Sequence, residues 1–292
     1  VLLAESIKGL NIKPDGIYVD VTFGGGGHSK EILKNLKNGF LYGFDQDLDA
    51  EKNSIKSNNF KFIRSNFRYI KNFLRLEGVK KIDGLIADLG ISSFQIDTPK
   101  RGFAHKHDSI LDMRMNVDSD FGAKDILNSY SEVEIARVFY DYGDIKQSRK
   151  IAKLIVKQRI TKEIHTTKDL IKILEGMYPK KIENKFYSRI FQALRIEVND
   201  EVNALKDLLT DVVDILKTKG RLVVISYHSI EDKLIKNLIN KGNIEGDIKT
   251  DFYGNKVSVF SSVNKKIIVP NKKECNDNSR ARSAKLRIAE KI

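Results

Sequence analysis

Residues 20–29 read "DVTFGGGGHS", placing an acid, four glycines and a histidine at the end of an apolar run. Glycine loses more backbone entropy on folding than any other residue, so four together imply backbone that must bend unusually or approach a ligand closely. Three ligand chemistries compete for the turn. A phosphate-cradling loop needs Gly-x4-Gly-Lys-Ser/Thr, and no lysine follows this run. A dinucleotide turn needs Gly-x-Gly-x-x-Gly, and counting from Gly24 and Gly26 the third position is Ser29. The third pattern is Asp20-x-x-x-Gly24-x-Gly26 at a strand end, as in enzymes that use S-adenosyl-L-methionine. That cofactor has an amino-acid end, whose carboxylate suits the free N–H groups of a helix starting near His28. Asp45, 21 residues after Gly24, can accept both hydroxyls of a ribose. Nicotinamide cofactors use the same contact, so Asp45 does not discriminate. Asp88 closes another apolar run and is a second acid of this kind, or a turn residue. Tyr227 and His228, in "SYHS", either contact a substrate base or cap and pack a helix start.

These residues need a sheet to bring them together. Short apolar runs read as strands at 16–21, 40–45, 60–65, 81–90 and 221–226, with 256–263 and 284–289 as a closing pair. Helical periods fall at 28–39, stopped by Gly39, and at about 199–217 and 229–240. Strands alternating with helices predict an α/β fold, a Rossmann-like sheet, mostly parallel with an antiparallel final strand. Asp20, Asp45, Asp88 and "SYHS" then all end strands, where ligands sit in such sheets. From Leu89 to Arg221 the chain runs 132 residues, whereas a parallel crossover needs about a dozen or more. Residues 106–199 are therefore expected to form an inserted helical domain, with 1–105 and 200–292 as the cofactor domain. Its patterns are "AKDILNSYSEVEIARVFYDYG" and "KQSRKIAKLIVKQRI". In the second, Ile151, Leu154 and Ile155 make an apolar stripe, and Lys146, Arg149, Lys153 and Lys157 line another face.

Net charge is +13. Residues 145–195 hold 14 Lys and Arg against 4 Asp and Glu, and residues 265–292 hold 9 against 3. Two basic blocks suggest a polyanionic partner, nucleic acid first, and a substrate-facing insertion; a solvated lysine-rich surface is the alternative. The single cysteine, Cys275, excludes an intramolecular disulfide and provides no metal-site spacing. No apolar run approaches the ~18–20 residues that span a bilayer, and Glu5, Lys8 and Lys13 interrupt the amino-terminal segment, so a cytoplasmic protein without membrane contact is expected. The chain begins at Val1 rather than Met, which leaves room for a preceding segment.

Six blocks together, "VDVTFGGGGHS", "DGLIADLGISSFQID", "RGFAHKHDSILDMRMN", "FQALRIEVNDE", "GRLVVISYHSIEDKLIK" and "NSRARSAKLRIAE", run in order through the chain. They resemble the bacterial methyltransferase family that modifies N4 of one cytosine in the decoding centre of small-subunit (16S) ribosomal RNA. The resemblance implies a Rossmann-like domain with a helical insertion, S-adenosyl-L-methionine as cofactor, and ribosomal RNA or the small subunit as partner. By motif position it implies cofactor contacts at Gly26, Gly27, His28, Asp45, Phe67, Asp88 and Gln95. Phe67 would lie against the adenine; on its own it reads as a core aromatic. Two loops depart from the family pattern. Phe94 stands in "SSFQ" where the family has proline, and "DSILDMRM" (108–115) replaces Asp-Gly-Pro-Leu-Asp-Met-Arg-Met.

Methylating an exocyclic amine requires alignment of amine, methyl and sulfur, and a group that takes a proton. Many amino-methylating enzymes carry Asp/Asn/Ser-Pro-Pro-Tyr/Phe after the fourth strand. Here the sequence is Asp88-Leu89-Gly90-Ile91, so Asp88 binds cofactor or acts on the amine, and no catalytic base is assigned. Tyr227, His228, Lys146, Lys153 and Lys157 are the candidate substrate contacts. A methyltransferase for protein or small molecules, and an RNA-binding assembly factor with an inactive cofactor fold, are the competing readings.

Overall fold

A computed structural model describes residues 1–248, 250–254 and 257–292. The chain divides into two units, Val1–Gly90 with Val202–Ile292, and Ile91–Glu201.

The first unit is built on strands β1 (Ile17–Asp20), β2 (Phe40–Asp45), β3 (Phe60–Arg64), β4 (Ile82–Asp88), β5 (Leu216–Ser226), β6 (Phe260–Ser262) and β7 (Lys285–Lys291). Their order is β3-β2-β1-β4-β5-β7-β6. β1 to β5 are parallel, and β7 runs antiparallel to both β5 and β6. Side chains alternate between two buried faces, as a covered parallel sheet requires. Val19, Phe44, Leu85, Ala87, Leu222 and Val224 pack in one core. Tyr18, Leu41, Ile86, Val223 and Ile225 pack in the other. Helices Ile70–Leu76, Glu201–Ile215 and Ser229–Lys241 supply Leu74, Leu209 and Ile235 to the first core. Helices Leu3–Leu10 and Gly27–Lys34 supply Leu10 and Ile32 to the second. The strand order reverses between β1 and β4, and in sheets of this kind ligands sit at the carboxyl ends of the strands at such a switch.

Three expectations shift. The helix expected over 28–39 ends at Lys34, with Asn35 as its cap. Gly39 is not its stop: a Cβ there would lie 2.4 Å from the Gly16 carbonyl oxygen, so glycine serves close backbone approach. The strand expected from Lys256 begins at Phe260; Lys256 itself lies outside the described residues. The expected helix 199–217 is Glu201–Ile215, and β5 starts at once.

The second unit is helical: Ala123–Ser129, Glu132–Gly143, Ser148–Thr161, Thr167–Leu174 and Lys180–Val198, besides the short helix Ser93–Asp97. "AKDILNSYSEVEIARVFYDYG" forms two helices, because Ser131 and Glu134 make a reciprocal capping box that starts the second. The unit begins earlier than residue 106, since Phe103 lies in its core and Ile91 packs against it. Asn199 clamps the "DMRM" loop, accepting from Met115 N at 2.6 Å and donating to the Met113 carbonyl at 2.8 Å. Both replaced prolines fall where little depends on them. Phe94 lies in the first turn of a helix capped by Ser92, where N–H groups lack helical partners anyway. Ile110 bridges Thr166, but the bonds are made by Ser109 O, from Thr167 N at 2.9 Å, and Leu111 N, to His165 O at 2.9 Å.

Candidate active site

The glycine turn hangs between β1 and β2. Phe23 N donates to Phe44 O at 2.9 Å, and Gly26 N to Phe23 O at 2.7 Å. Gly24 and Gly26 have φ of 50° and 72°, the left-handed region where glycine is favoured. A Cβ on Gly26 would meet the Phe23 ring at 2.9 Å. Gly25 and Gly27 face open space, with no atom within 4 Å of an added Cβ. Gly27 opens the helix Gly27–Lys34, whose first N–H groups are without helical partners. Bare backbone, open space and a helix start together form a cradle that side chains would fill.

Asp45 ties this turn to the end of β2. Its Oδ2 accepts from Gly24 N at 2.8 Å and its Oδ1 from Asp47 N at 2.9 Å. Burial pushes its pKa up to about 6, against the pull of those two N–H groups. Asp20, which in the sequence only defines the motif, is a buried member of this turn. It is 1% exposed, and accepts from Ser29 Oγ at 2.7 Å and Thr22 N at 3.2 Å. Burial raises its pKa, and His28 and Ser29 oppose that rise. His28 is buried, with Nε2 3.2 Å from the Val1 carbonyl oxygen. The sequence signal for Asp20 was its place nine residues before Ser29, on the facing turn of the following helix.

Across the crevice, Asp88 N donates to Thr22 Oγ1 at 2.7 Å, linking the ends of β4 and β1. Asp88 Oδ1 accepts from the Tyr227 hydroxyl at 2.7 Å. Burial, then the charge of Asp88, drives the Tyr227 pKa upward, so the phenol keeps its proton and donates. The Tyr227 ring passes Gly90, whose added Cβ would be 3.6 Å from Cδ2. Aromatic and acid thus meet beside β4 although no aromatic follows Asp88 in sequence.

His228 is the N-cap residue of Ser229–Lys241. Glu231 Oε2 accepts from Tyr227 N at 2.9 Å and His228 N at 3.3 Å, and Oε1 lies 3.0 Å from His228 Nε2. Among the described residues neither ring nitrogen is aligned for a hydrogen bond, and Ser226 Oγ is likewise buried without a partner. Phe67 starts the turn after β3, half-buried against the first core; its neighbour Asn66 donates to Gln46 Oε1 at 3.0 Å. The first unit therefore gathers Gly26, Gly27, His28, Asp45 and Asp88 around strand ends at one sheet edge, with Tyr227 bonded to Asp88. Gln95 belongs to the second unit. It is buried there in a capping box, its Oε1 accepting from Ser92 N at 3.0 Å. Lys146, Lys153 and Lys157 are exposed in the second unit. In helix Ser148–Thr161 the buried stripe is Ile151, Ala152 and Ile155, with Leu154 half-buried.

The sequence matches the MraW methylase family over residues 1–292. The chain belongs to the MraW methylase family. Relatives within it are similar throughout. "Ribosomal RNA small subunit methyltransferase H" of Parabacteroides distasonis is 54% identical over all of this chain and 96% of its own. The proteins of that name in Cytophaga hutchinsonii and Bacteroides thetaiotaomicron are 54% and 51% identical, over all of this chain and 98% and 96% of theirs. Among the described residues no helix is long and apolar enough to cross a membrane.

Proposed function

We propose that this MraW-family methylase transfers a methyl group from S-adenosyl-L-methionine to N4 of a specific cytosine in small-subunit ribosomal RNA near the decoding centre. The observation that carries the reading is the glycine cradle closed by Asp45 in a chain that matches methylases from end to end. The residues fit the cofactor: Gly25 and Gly27 leave room beside free N–H groups, and the cradle holds no lysine for a phosphate chain. When bound, the cofactor supplies an activated methyl group on a sulfonium. Gly26, Gly27 and His28 hold its amino-acid end, Asp45 accepts from the ribose hydroxyls, and Phe67 lies against the adenine. Asp88 keeps Oδ1 on the Tyr227 hydroxyl, and its Oδ2, 3.6 Å from the Val1 ammonium, is the oxygen left for the ligand. Tyr227 and His228 orient the flipped cytosine, whose unstacking costs a few kcal/mol. Gln95 is a proposed cofactor contact by motif position alone, and it belongs to the second unit. That unit is the substrate-recognition domain, with Lys146, Lys153 and Lys157 on RNA phosphates. The reaction takes place in the cytoplasm, on small-subunit ribosomal RNA or the small subunit.

The test is methylation by purified protein with labelled cofactor, using small subunits from cells that lack the protein, followed by mass spectrometry of the RNA. One N4-methylcytosine, absent from the starting subunits, is the expected product. Label in protein, or none in RNA, overturns the reading. In single turnover, His228→Ala is expected to slow transfer at least a hundredfold with cofactor affinity unchanged. Wild-type turnover with a lowered melting temperature would make His228 a capping residue only.

A further inference from the structure

β7 pairs Lys285 with Ser226 and Glu290 with Arg221, so it starts at the carboxyl edge of the parallel strands. β6 pairs Phe260 with Lys291 and Ser262 with Ala289, so it runs toward that same edge. The segment joining them, residues 263–284, must then lie along the edge where Asp88 and Tyr227 sit. Contacts agree with this topology. Ile268 bridges Leu286, and Glu274, in the helix Lys272–Asp277, is close enough to Tyr227 for its charge to help raise the phenol's pKa. Residues 265–282 hold six basic residues against two acidic ones. Glu274 Oε1 is engaged by Leu2 N at 2.7 Å. Lys265, Lys266, Lys272 and Lys273 are exposed, and among the described residues none has a carboxylate within ion-pair distance. Lys285 and Arg287, by contrast, share Asp232.

Four like charges left unneutralised in one short segment repel one another, and a polyanion removes that cost while releasing its own counterions. We infer that the β6–β7 connection is a phosphate-binding rim on the cofactor-binding unit, which holds the single-stranded RNA backbone beside the target nucleotide. The inference rests on the proposed RNA substrate. It assigns phosphate contacts to the second basic block, independently of the helical unit. A flipped base entering between the strand ends carries its two flanking phosphates to the sheet edge, and the rim is a basic element of that edge.

The test compares two variants of equal charge in the full chain. One carries Lys265→Gln, Lys272→Gln and Lys273→Gln. The other carries Lys37→Gln, Lys56→Gln and Lys80→Gln, exposed lysines in the turns leading into β2, β3 and β4 at the opposite edge. Binding to a single-stranded fragment containing the target cytosine is measured across a salt series, with cofactor affinity and melting on the same samples. The rim variant is expected to lose roughly tenfold in affinity at 0.1 M salt, with a salt slope lower by about 2, since each phosphate contact contributes about 0.7. The opposite-edge variant should keep the wild-type slope. Equal slopes for the two variants would overturn the rim. Methyl transfer by the wild type to small subunits lacking the modification, in the same buffer, separates the two ideas: its failure rejects the proposed reaction, whereas normal transfer with equal slopes rejects only the rim.

Discussion

Asp45 shows how one residue links stability to binding. Its pKa rises from 3.8 to about 6 because burial disfavours the charge. The native state then holds the proton more tightly than the unfolded chain. Stability from this group is greatest below pH ~4, declines as pH rises through ~6, and above that the cost stands at about 3 kcal/mol. The difference in unfolding free energy between wild type and Asp45→Asn should therefore shift against the wild type by up to that amount between pH 4 and 7, measured by urea melts without ligand. A flat difference would show that Asp45 ionises normally. In the proposed complex the charged carboxylate accepts ribose hydroxyls, each bond worth ~1.5–3 kcal/mol, which would offset that cost. Asp45→Ala should thus weaken S-adenosyl-L-methionine binding at least tenfold by calorimetry, with the fold kept; unchanged affinity removes Asp45 from the site. This residue was legible in sequence because strand, acid and glycine turn lie within 21 positions. The Tyr227–Asp88 bond was not, because its partners are 139 residues apart and only the β4–β5 pairing brings them together.

At the scale of elements, two glycines make opposite demands. Gly39 has backbone oxygens of Gly16 and Pro14 at 2.4 and 2.8 Å from an added Cβ, so Gly39→Ala forces β1 and the turn before β2 apart. A loss of about 1–3 kcal/mol is expected, as for overpacking elsewhere. Gly27 opens a helix into empty space, so Gly27→Ala should keep or slightly raise the melting temperature, since alanine is the better helix former. Cofactor binding should nevertheless fall, because the methyl occupies the cradle. Melting and titration of both variants check the pair, and a destabilised Gly27→Ala that binds normally would contradict it. Sequence periodicity located the elements well where apolar runs were long, as for β2 and β4, but it placed the start of β5 at 221, five residues after Leu216. It misread Gly39 as a helix stop because a glycine needed for close approach and one that ends a helix look alike in one dimension. It joined two helices across Ser131 because the apolar period continues through the capping box that separates them. Domain limits moved for a similar reason: which core Phe103 enters depends on packing.

For the whole molecule, charge is unevenly divided between the two units. The first unit gathers buried acids around its glycine turn, while fourteen basic residues against four acids fall within residues 145–195. On helix Ser148–Thr161, Lys153 and Lys157 stand one turn apart, with Arg149 a turn before and Lys146 just ahead of the helix. All four are exposed, and among the described residues none is within ion-pair distance of a carboxylate. The opposite face is closed by Ile151, Ala152 and Ile155, so these positions can change charge without disturbing the core. Substituting glutamate for Lys146, Lys153 and Lys157 should then leave melting unchanged and weaken RNA binding strongly. If each lysine meets one phosphate, the salt slope should fall by about 2, given about 0.7 per contact on a single strand. Cofactor affinity should not move, because Gly26, Asp45 and Asp88 belong to the other unit's core and strand ends. A mutant with the wild-type RNA slope would mean that the stripe is only a solvated helix face, and RNA recognition would have to be sought on the other basic surfaces of the chain.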